Sequence, residues 1–343
     1  MPQTVLAYTL PDGSDLRVSP FATNVSRAWV LNDVGTATFD LPAETPDLAR
    51  VCQFGALHWL YEDGVPPFVG EVEQVSFSDT GTVSVGLRSA EYLLRGQITR
   101  QSVLFGESSP VSAGAVAAGV FESAVTRNGR SPLRPGVFDA ENATFLKATY
   151  ADCFDVFSKL TEDHKAAFWV DDHLRVHFRG RRGSDKRDSV LLFQGRNLLS
   201  ATVTGSVADT INAAVVVADS NNPADGRTAA LRYDTTGQFR AAVLTLSGAK
   251  DQAQARQFGV DTLRERRWPT MTLEGYVPRT AAEWGSFFLG DIVRVVTPLV
   301  PWKNEHICRV IAAELGPQED QMRFVFSIIN ETAAETPATW VLT

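Results

Sequence analysis

The chain reads as a β-rich α+β protein in which two barrel-like β regions flank a smaller α/β lobe. Three observations predict this. Apolar alternation with period two fills the first hundred residues and returns near the end, as in Met322, Phe324, Phe326 and Ile328. Helical spacing is confined to a few stretches between and within these regions. Turn residues such as Asp12-Gly13, Asp63-Gly64 and Asp79 to Gly81 punctuate the strands. At 343 residues the chain is long for one domain, and 44% hydrophobic with 21% charged residues is ordinary for a folded protein. Such a chain buries a sizeable core without disulfides or metal.

In the opening region the alternating sets are Ala37, Phe39 and Leu41; Leu57, Trp59 and Tyr61; Val69, Val72, Val75 and Phe77; and Val83, Val85 and Leu87. Ser109–Ser123 is expected to be a helix capped by Ser108 or Ser109, with three glycines against it. Tyr150–Lys165 is a better helix, with Cys153, Phe154, Phe157 and Leu160 as its apolar stripe and Asp152 in its first turn. Strands Ala166–Val170 and His173–Phe178 follow across an Asp171-Asp172 turn, then a charged loop, Arg179–Asp188. Further strands are expected at Ser189–Phe193, Ser200–Val207, Thr210–Ala218 and Thr235–Leu246, with a loop at Asn221–Gly226. A helix from Lys250 to Arg267 faces inward with Ala255, Phe258, Thr262 and Leu263 and ends at Trp268-Pro269. The expected domains are 1–98, a first β-barrel-like domain; 99–190, the α/β lobe; 191–330, a second β-barrel-like domain carrying the helix 250–267; and 331–343, an arm or tail. No exact sequence repeat is present, but the architecture repeats loosely.

Charge and motifs exclude more than they assign. A net charge of -8 argues against a protein that coats nucleic acid, because phosphate tracking needs a basic stripe. Cys52, Cys153 and Cys308 are too dispersed for a disulfide framework or a zinc pattern and read as small buried side chains. The N-terminus shows no secretory signal and no apolar stretch is long enough to span a membrane, so the expectation is a soluble protein made in a cytoplasm. The Asn-x-Ser/Thr sites at Asn24, Asn142 and Asn330 then carry no weight.

Candidate chemistry is sparse. His173 and His177 would share one strand face, with Asp171 nearby as a third metal ligand, but Arg175 interrupts the set and a solvated face is the better reading. Arg175, Arg179, Arg181, Arg182, Lys186 and Arg187 form a basic cluster diluted by Asp185 and Asp188. It reads as a charged surface loop, or a contact for an acidic partner or nucleic acid. The acid pairs Asp171-Asp172, Glu162-Asp163 and Glu319-Asp320 belong to turns or helix surfaces. Trp59, Trp169 and Trp284 are expected in the core or at subunit interfaces, and Trp302 and Trp340 as docking side chains. No nucleotide-binding or hydrolase signature is present, so no catalytic, cofactor-binding or metal residues are assigned and an enzyme is not expected.

The order of several segments resembles the hub proteins at the tail tip of long-tailed bacteriophages. Gly35-Thr36-Ala37-Thr38-Phe39-Asp40-Leu41-Pro42, Leu60-Tyr61-Glu62-Asp63-Gly64 and Pro67-Phe68-Val69-Gly70-Glu71-Val72 are similar to the family's first strands. The helix Asp152–Lys165 leading into Ala167-Phe168-Trp169-Val170-Asp171 resembles its central lobe, and Asp209–Val216 its strand into the second barrel. The closing series is the most specific: the helix Gln252–Arg267, Thr270–Val277, Leu289-Gly290-Asp291-Ile292-Val293-Arg294-Val295 and Cys308-Arg309-Val310-Ile311.

The resemblance implies a virion protein at the tail tip, a homotrimer whose paired barrel-like domains form a six-fold-like ring. It would adapt a hexameric distal tail or tail tube protein to a three-fold tip. Implied partners are the tape measure protein, tail fibre or receptor-binding proteins, and DNA in transit through an acidic channel without specific binding. Many members extend into a hydrolase or receptor-binding region; ending at Thr343, this chain is expected to lack one. Two other readings are the hub of a contractile phage or injection machine, and a carbohydrate-binding host-recognition protein. A hydrolase using His173 and His177 is the enzymatic one.

Overall fold

The computed structural model describes residues 4–11, 13–19, 21–99, 103–105, 111–129, 131–141, 143–144, 146–219, 228–232, 239–247, 252–298, 304–317, 319–329 and 338–339. Its main element is a 13-stranded sheet. The strand order is Ala201–Ser206, Thr270–Pro278, Gln321–Ile328, Glu305–Leu315, Thr23–Val30, Thr36–Pro42, Thr82–Ser89, Val65–Phe77, Leu57–Glu62, Val5–Tyr8 and Arg17–Ser19. Ile292–Val296 adds to Glu305–Leu315, and Leu191–Phe193 adds in parallel to Ile292–Val296.

The sheet contains the same five-strand order twice. From Thr23–Val30 the neighbours run Thr36–Pro42, Thr82–Ser89, Val65–Phe77 and Leu57–Glu62. From Ala201–Ser206 they run Thr270–Pro278, Gln321–Ile328, Glu305–Leu315 and Ile292–Val296. The registers repeat too. Thr36 to Pro42 lie opposite Arg88 to Thr82, as Thr272 to Pro278 lie opposite Ser327 to Gln321. The register breaks between Val72 and Gln74 in one half and between Val310 and Ala312 in the other. A bulge is a designed bend in a sheet. Its recurrence at one place makes the two halves copies of one plan. The architectural repeat expected from sequence is therefore present as strand order and register.

The halves are joined by hydrogen bonding as well as packing. Ala312, Ala313, Glu314 and Leu315 pair with Val30, Trp29, Ala28 and Arg27. One apolar core serves both, including Phe39, Leu60, Val85, Leu273, Val293 and Phe326, all fully buried. The order has two ends, Ala201–Ser206 and Arg17–Ser19, and the described strands close no barrel. Asp63-Gly64 forms the expected hairpin, with Glu62 opposite Val65 and Gly64 at φ 71°. In the alternating sets, Ala37, Phe39, Leu41, Val83, Val85 and Leu87 are buried, whereas Phe77 is 72% exposed.

The lobe packs helices Ala113–Ala124 and Cys153–His164 on a three-stranded sheet. That sheet holds Ala167–Val170 and Arg175–Arg179 as a hairpin, with Arg134–Phe138 parallel to the second strand. Phe121, Phe157, Phe168 and Phe178 fill the interior. The first helix starts later than expected, at Ala113, where Ser112 accepts the Ala115 N–H at 3.1 Å; Ser108 and Ser109 lie outside the described residues. Asp152 is the cap of the second helix rather than part of its first turn, accepting from Phe154 and Asp155.

A separate four-stranded sheet, Ala241–Ser247, Ala213–Asp219, Thr228–Arg232 and Ala338–Thr339, carries the helix Gln252–Arg266. A Cβ on Gly259 would strike Val216 and Leu231, so the glycine sets how closely this helix approaches. Ala255, Thr262 and Leu263 face inward as expected, and Phe258 is half-buried. The expected strand from Thr235 is described only at Ala241–Ser247. The Asn221–Gly226 loop and the start of the helix at Lys250 lie outside the described residues.

Candidate functional site at the lobe junction

Side chains on the large sheet hold the lobe through its backbone. Asn32 sits at φ 61° in a turn, where asparagine tolerates the left-handed region. Its amide oxygen accepts the Phe168 N–H at 3.0 Å and its amide nitrogen reaches the Ala166 carbonyl at 3.5 Å. Trp59 donates Nε1–H to the Asp172 carbonyl at 2.7 Å, and Glu91 accepts the Val170 N–H at 3.1 Å. On the other flank, Asp152 accepts from Gly96 at 2.6 Å. These contacts leave a half-enclosed cleft of ≈ 230 Å³ between the lobe hairpin, Trp29, Phe68 and Phe288.

In its wall the Arg182 guanidinium lies 5.4 Å from the Trp169 ring, and behind the lining His177 stacks on Trp169 at 5.0 Å and 16°. Val137 N–H donates to His177 Nδ1, so Nε2 carries the proton and donates to Asp171 at 3.1 Å. Asp171 also accepts from Arg175 Nε and from the His173 and Arg175 amides. Burial pushes the Asp171 carboxyl up, but these donors outweigh it and hold the group below its ordinary range. Burial pushes the Arg182 guanidinium down, with Glu91 and Asp291 opposing. This is an oriented, fully bonded turn.

The structure does not place His173 and His177 on one strand face. His173 falls in the turn and is 70% exposed, because the strand begins only at Arg175. Asp171 is occupied by its four donors, and no group of three or more possible metal-ligating side chains occurs among the described residues. The basic cluster is largely paired within the chain. Arg175 meets Asp171, Arg179 meets Asp139, Lys186 meets Asp291 and Arg187 meets Asp185 at 2.7–3.0 Å. Arg181 is exposed, as is Asp188. What the sequence hid was long-range: Asp291 also accepts from Ser184 and Phe288, pinning the loop to the Leu289-Gly290-Asp291 turn.

Most of the other candidates lie elsewhere in the fold. Asp163 is pushed up to about 6 by burial, and Glu319 accepts from Gly316 in a turn. Cys153 and Cys308 are buried, while Cys52 is half-buried with its thiol pushed up by burial. Trp59, Trp169 and Trp284 are half-buried, and Trp284 stacks with Arg279 at 4.8 Å. Asn24 donates to Asp40 within the sheet. Trp302, Trp340, Asn142, Asn330 and most of 331–343 lie outside the described residues. Among the described residues no helix is long and apolar enough to cross a membrane.

No protein-family model and no curated protein sequence matches the chain. Solved structures do. The prophage tail protein gp18 of Listeria monocytogenes EGD-e superposes with a TM-score of 0.66 at 10% identity, over 96% of this chain and 95% of that one. The 43 kDa tail protein of prophage MuSo2 from Shewanella oneidensis gives 0.66 at 14% identity, over 96% and 98%. The E. coli c3393 protein, a component of the type VI secretion system, gives 0.54 at 11%, over 93% of this chain and 76% of that one. The chain therefore has the fold of prophage tail proteins over nearly its whole length.

Proposed function

We propose that this chain is a non-enzymatic hub of a phage tail tip or baseplate. Copies of it form a homotrimeric ring that closes the tail tube and opens for genome passage. The observation that carries the reading is the whole-length likeness to two prophage tail proteins of nearly equal extent. The duplicated strand plan supports it. Three chains with two similar units each make a ring that reads as six-fold to a hexameric tail tube or distal tail protein and three-fold to the tip. The barrel-like character of each unit belongs to this assembled state. The tape measure protein, tail fibre or receptor-binding proteins and passing DNA are the partners of such a ring, in the virion. The chain's acidity favours passage of DNA over its retention.

A second reading, the hub of a secretion-type injection machine, is favoured by the likeness to the E. coli secretion component. Native mass together with negative-stain imaging of the purified chain tests the common core of both. A ring of three copies is expected. A monomer at every concentration, never incorporated into a tail, defeats them.

A further inference from the structure

We infer that neighbouring copies join by repeating the junction that already links the two halves inside one chain, with Gln74–Phe77 of one copy pairing antiparallel to Val203–Ser206 of the next. This deepens the ring proposed above and rests on it.

The inference comes from the duplicated plan. In the second half, Glu305–Leu315 pairs along one side with Gln321–Ile328. Its other side is shared. Glu305 to Arg309 take Ile292–Val296, and past the bulge Ala312 to Leu315 take the edge of Thr23–Val30. The equivalent strand in the first half, Val65–Phe77, also pairs along one side with Thr82–Ser89. On its other side Val65 to Glu71 take Leu57–Glu62. Past the equivalent bulge, Gln74–Phe77 have no strand on that side among the described residues. The counterpart of Thr23–Val30 is Ala201–Ser206, which among the described residues pairs with Thr270–Pro278 alone and ends the sheet. Each half of a junction is thus present and vacant at opposite ends of the repeat. A second copy of the chain is the occupant that fits both.

Side chains agree with this. Leu315, inside the existing junction, is 3% exposed, whereas Phe77 at the corresponding place is 72% exposed. Leu31, which continues the junction by donating to the Ile311 carbonyl, is half-buried, and its counterpart Val207 is 53% exposed. Ala201-Thr202-Val203-Thr204-Gly205-Ser206 carries neither charge nor proline, so the edge lacks the usual defences against pairing with another chain. Transferring the internal register places Gln74 opposite Ser206, Val75 opposite Gly205, Ser76 opposite Thr204 and Phe77 opposite Val203. The contact is head-to-tail, with each copy offering one of each edge, which is the kind of interface that builds a ring when the rotation between copies closes.

The test pairs cysteine cross-linking with native mass. Directly opposite positions on antiparallel strands bring Cβ atoms within disulfide reach. The full chain carrying Ser76→Cys and Thr204→Cys is oxidised mildly and run without reductant. Ser76→Cys with Gly205→Cys puts the thiols on opposite sheet faces and is the control; nothing crowds a Cβ at Gly205. Covalent multimers from the first pair and none from the control are expected. Phe77→Asp should weaken association at least tenfold while leaving the far-ultraviolet circular dichroism unchanged. A wild-type ring whose matched pair does not link, or links no better than the control, overturns this junction and leaves the ring reading standing. A wild-type chain that stays monomeric overturns both.

Discussion

Glu62 and Arg279, 217 positions apart, form a buried ion pair that ties the first half of the duplicated sheet to the second. Arg27 shares the same carboxylate at 3.1 Å, and Thr4 Oγ1 bridges Arg27 and Glu62. Arg27 is 1% exposed and Glu62 6%, so one carboxylate compensates two sequestered guanidiniums. Burial pushes the Arg27 guanidinium down, with Glu62 opposing. Removing the shared anion leaves both cations unpaired, a loss of about 3–5 kcal/mol. Glu62→Gln should therefore lower the urea midpoint far more than Arg279→Met, which leaves the Arg27 pair in place. Equal midpoints for the two variants would show that the Arg27–Glu62 pair contributes nothing beyond the Arg279 pair.

Gly290 is held at φ 85°, and a Cβ there would run into the backbone carbonyl of Arg182. A side chain at this position meets both a left-handed penalty and a collision with backbone that cannot swing away. Gly290→Ala is expected to cost about 2–4 kcal/mol in chemical denaturation, within the range for strained special positions. Gly205→Ala, at an exposed strand glycine outside the left-handed region and with open space, should change stability by less than about 1 kcal/mol. The comparison isolates conformation and crowding from the loss of a glycine as such. Similar costs at both sites would contradict the argument.

Much of this fold is written in short-range signals. The Leu289-Gly290-Asp291 turn and the Asp63-Gly64 hairpin are readable from local chemistry, and the structure uses them as such. The duplication was harder to see, since equivalent places hold unlike side chains: Gly70 and Cys308, Trp59 and Arg294. What is repeated is backbone pairing and the position of a bulge, which many residues satisfy. The lobe cleft was not legible at all. Its parts, Trp29, Trp169, Arg182 and Phe288, come from four separate segments, and no spacing rule links them. The expected histidine pair failed for a local reason. Asp171 accepts the His173 amide and bends the chain there, one residue pair before the strand resumes.

Asn32 makes a prediction that separates attachment of the lobe from its own stability. Its side chain closes two hydrogen bonds onto the backbone of Ala166 and Phe168, while the lobe's aromatic core is held separately, packing on Leu57 and Val69 of the large sheet. Asn32→Ala loses both bonds and the tolerance for φ 61°, together about 1–3 kcal/mol. Amide exchange should accelerate at Phe168, with little change in the helix Cys153–His164. Unchanged protection at Phe168 would mean that Trp59 and Glu91 alone hold this edge.

His58 sets an acid limit on the whole sheet. It is fully buried, stacked near Tyr8 at 6.0 Å, with Nδ1 at 3.2 Å from the Ala56 carbonyl and the Val51 backbone as a second, weaker influence on the ring. Burial pushes its pKa from 6.5 down to about 4. Above pH 6.5 the ring is neutral in both states and contributes no pH dependence. As the pH falls from 6.5 toward 4 the unfolded chain takes up a proton that the folded chain refuses, so stability is lost across that window. The full loss is about 3 kcal/mol. Asp163, raised to about 6, acts with the opposite sign, because the folded state binds its proton first and gains stability as the pH drops toward 3.8. The His58 contribution is therefore read as the difference between wild type and His58→Gln in urea titrations at several pH values. The variant should be less stable at pH 7, and the gap should narrow steadily between pH 6.5 and 4. A gap independent of pH would mean that His58 is protonated inside the fold, with an anion or water at Nε2.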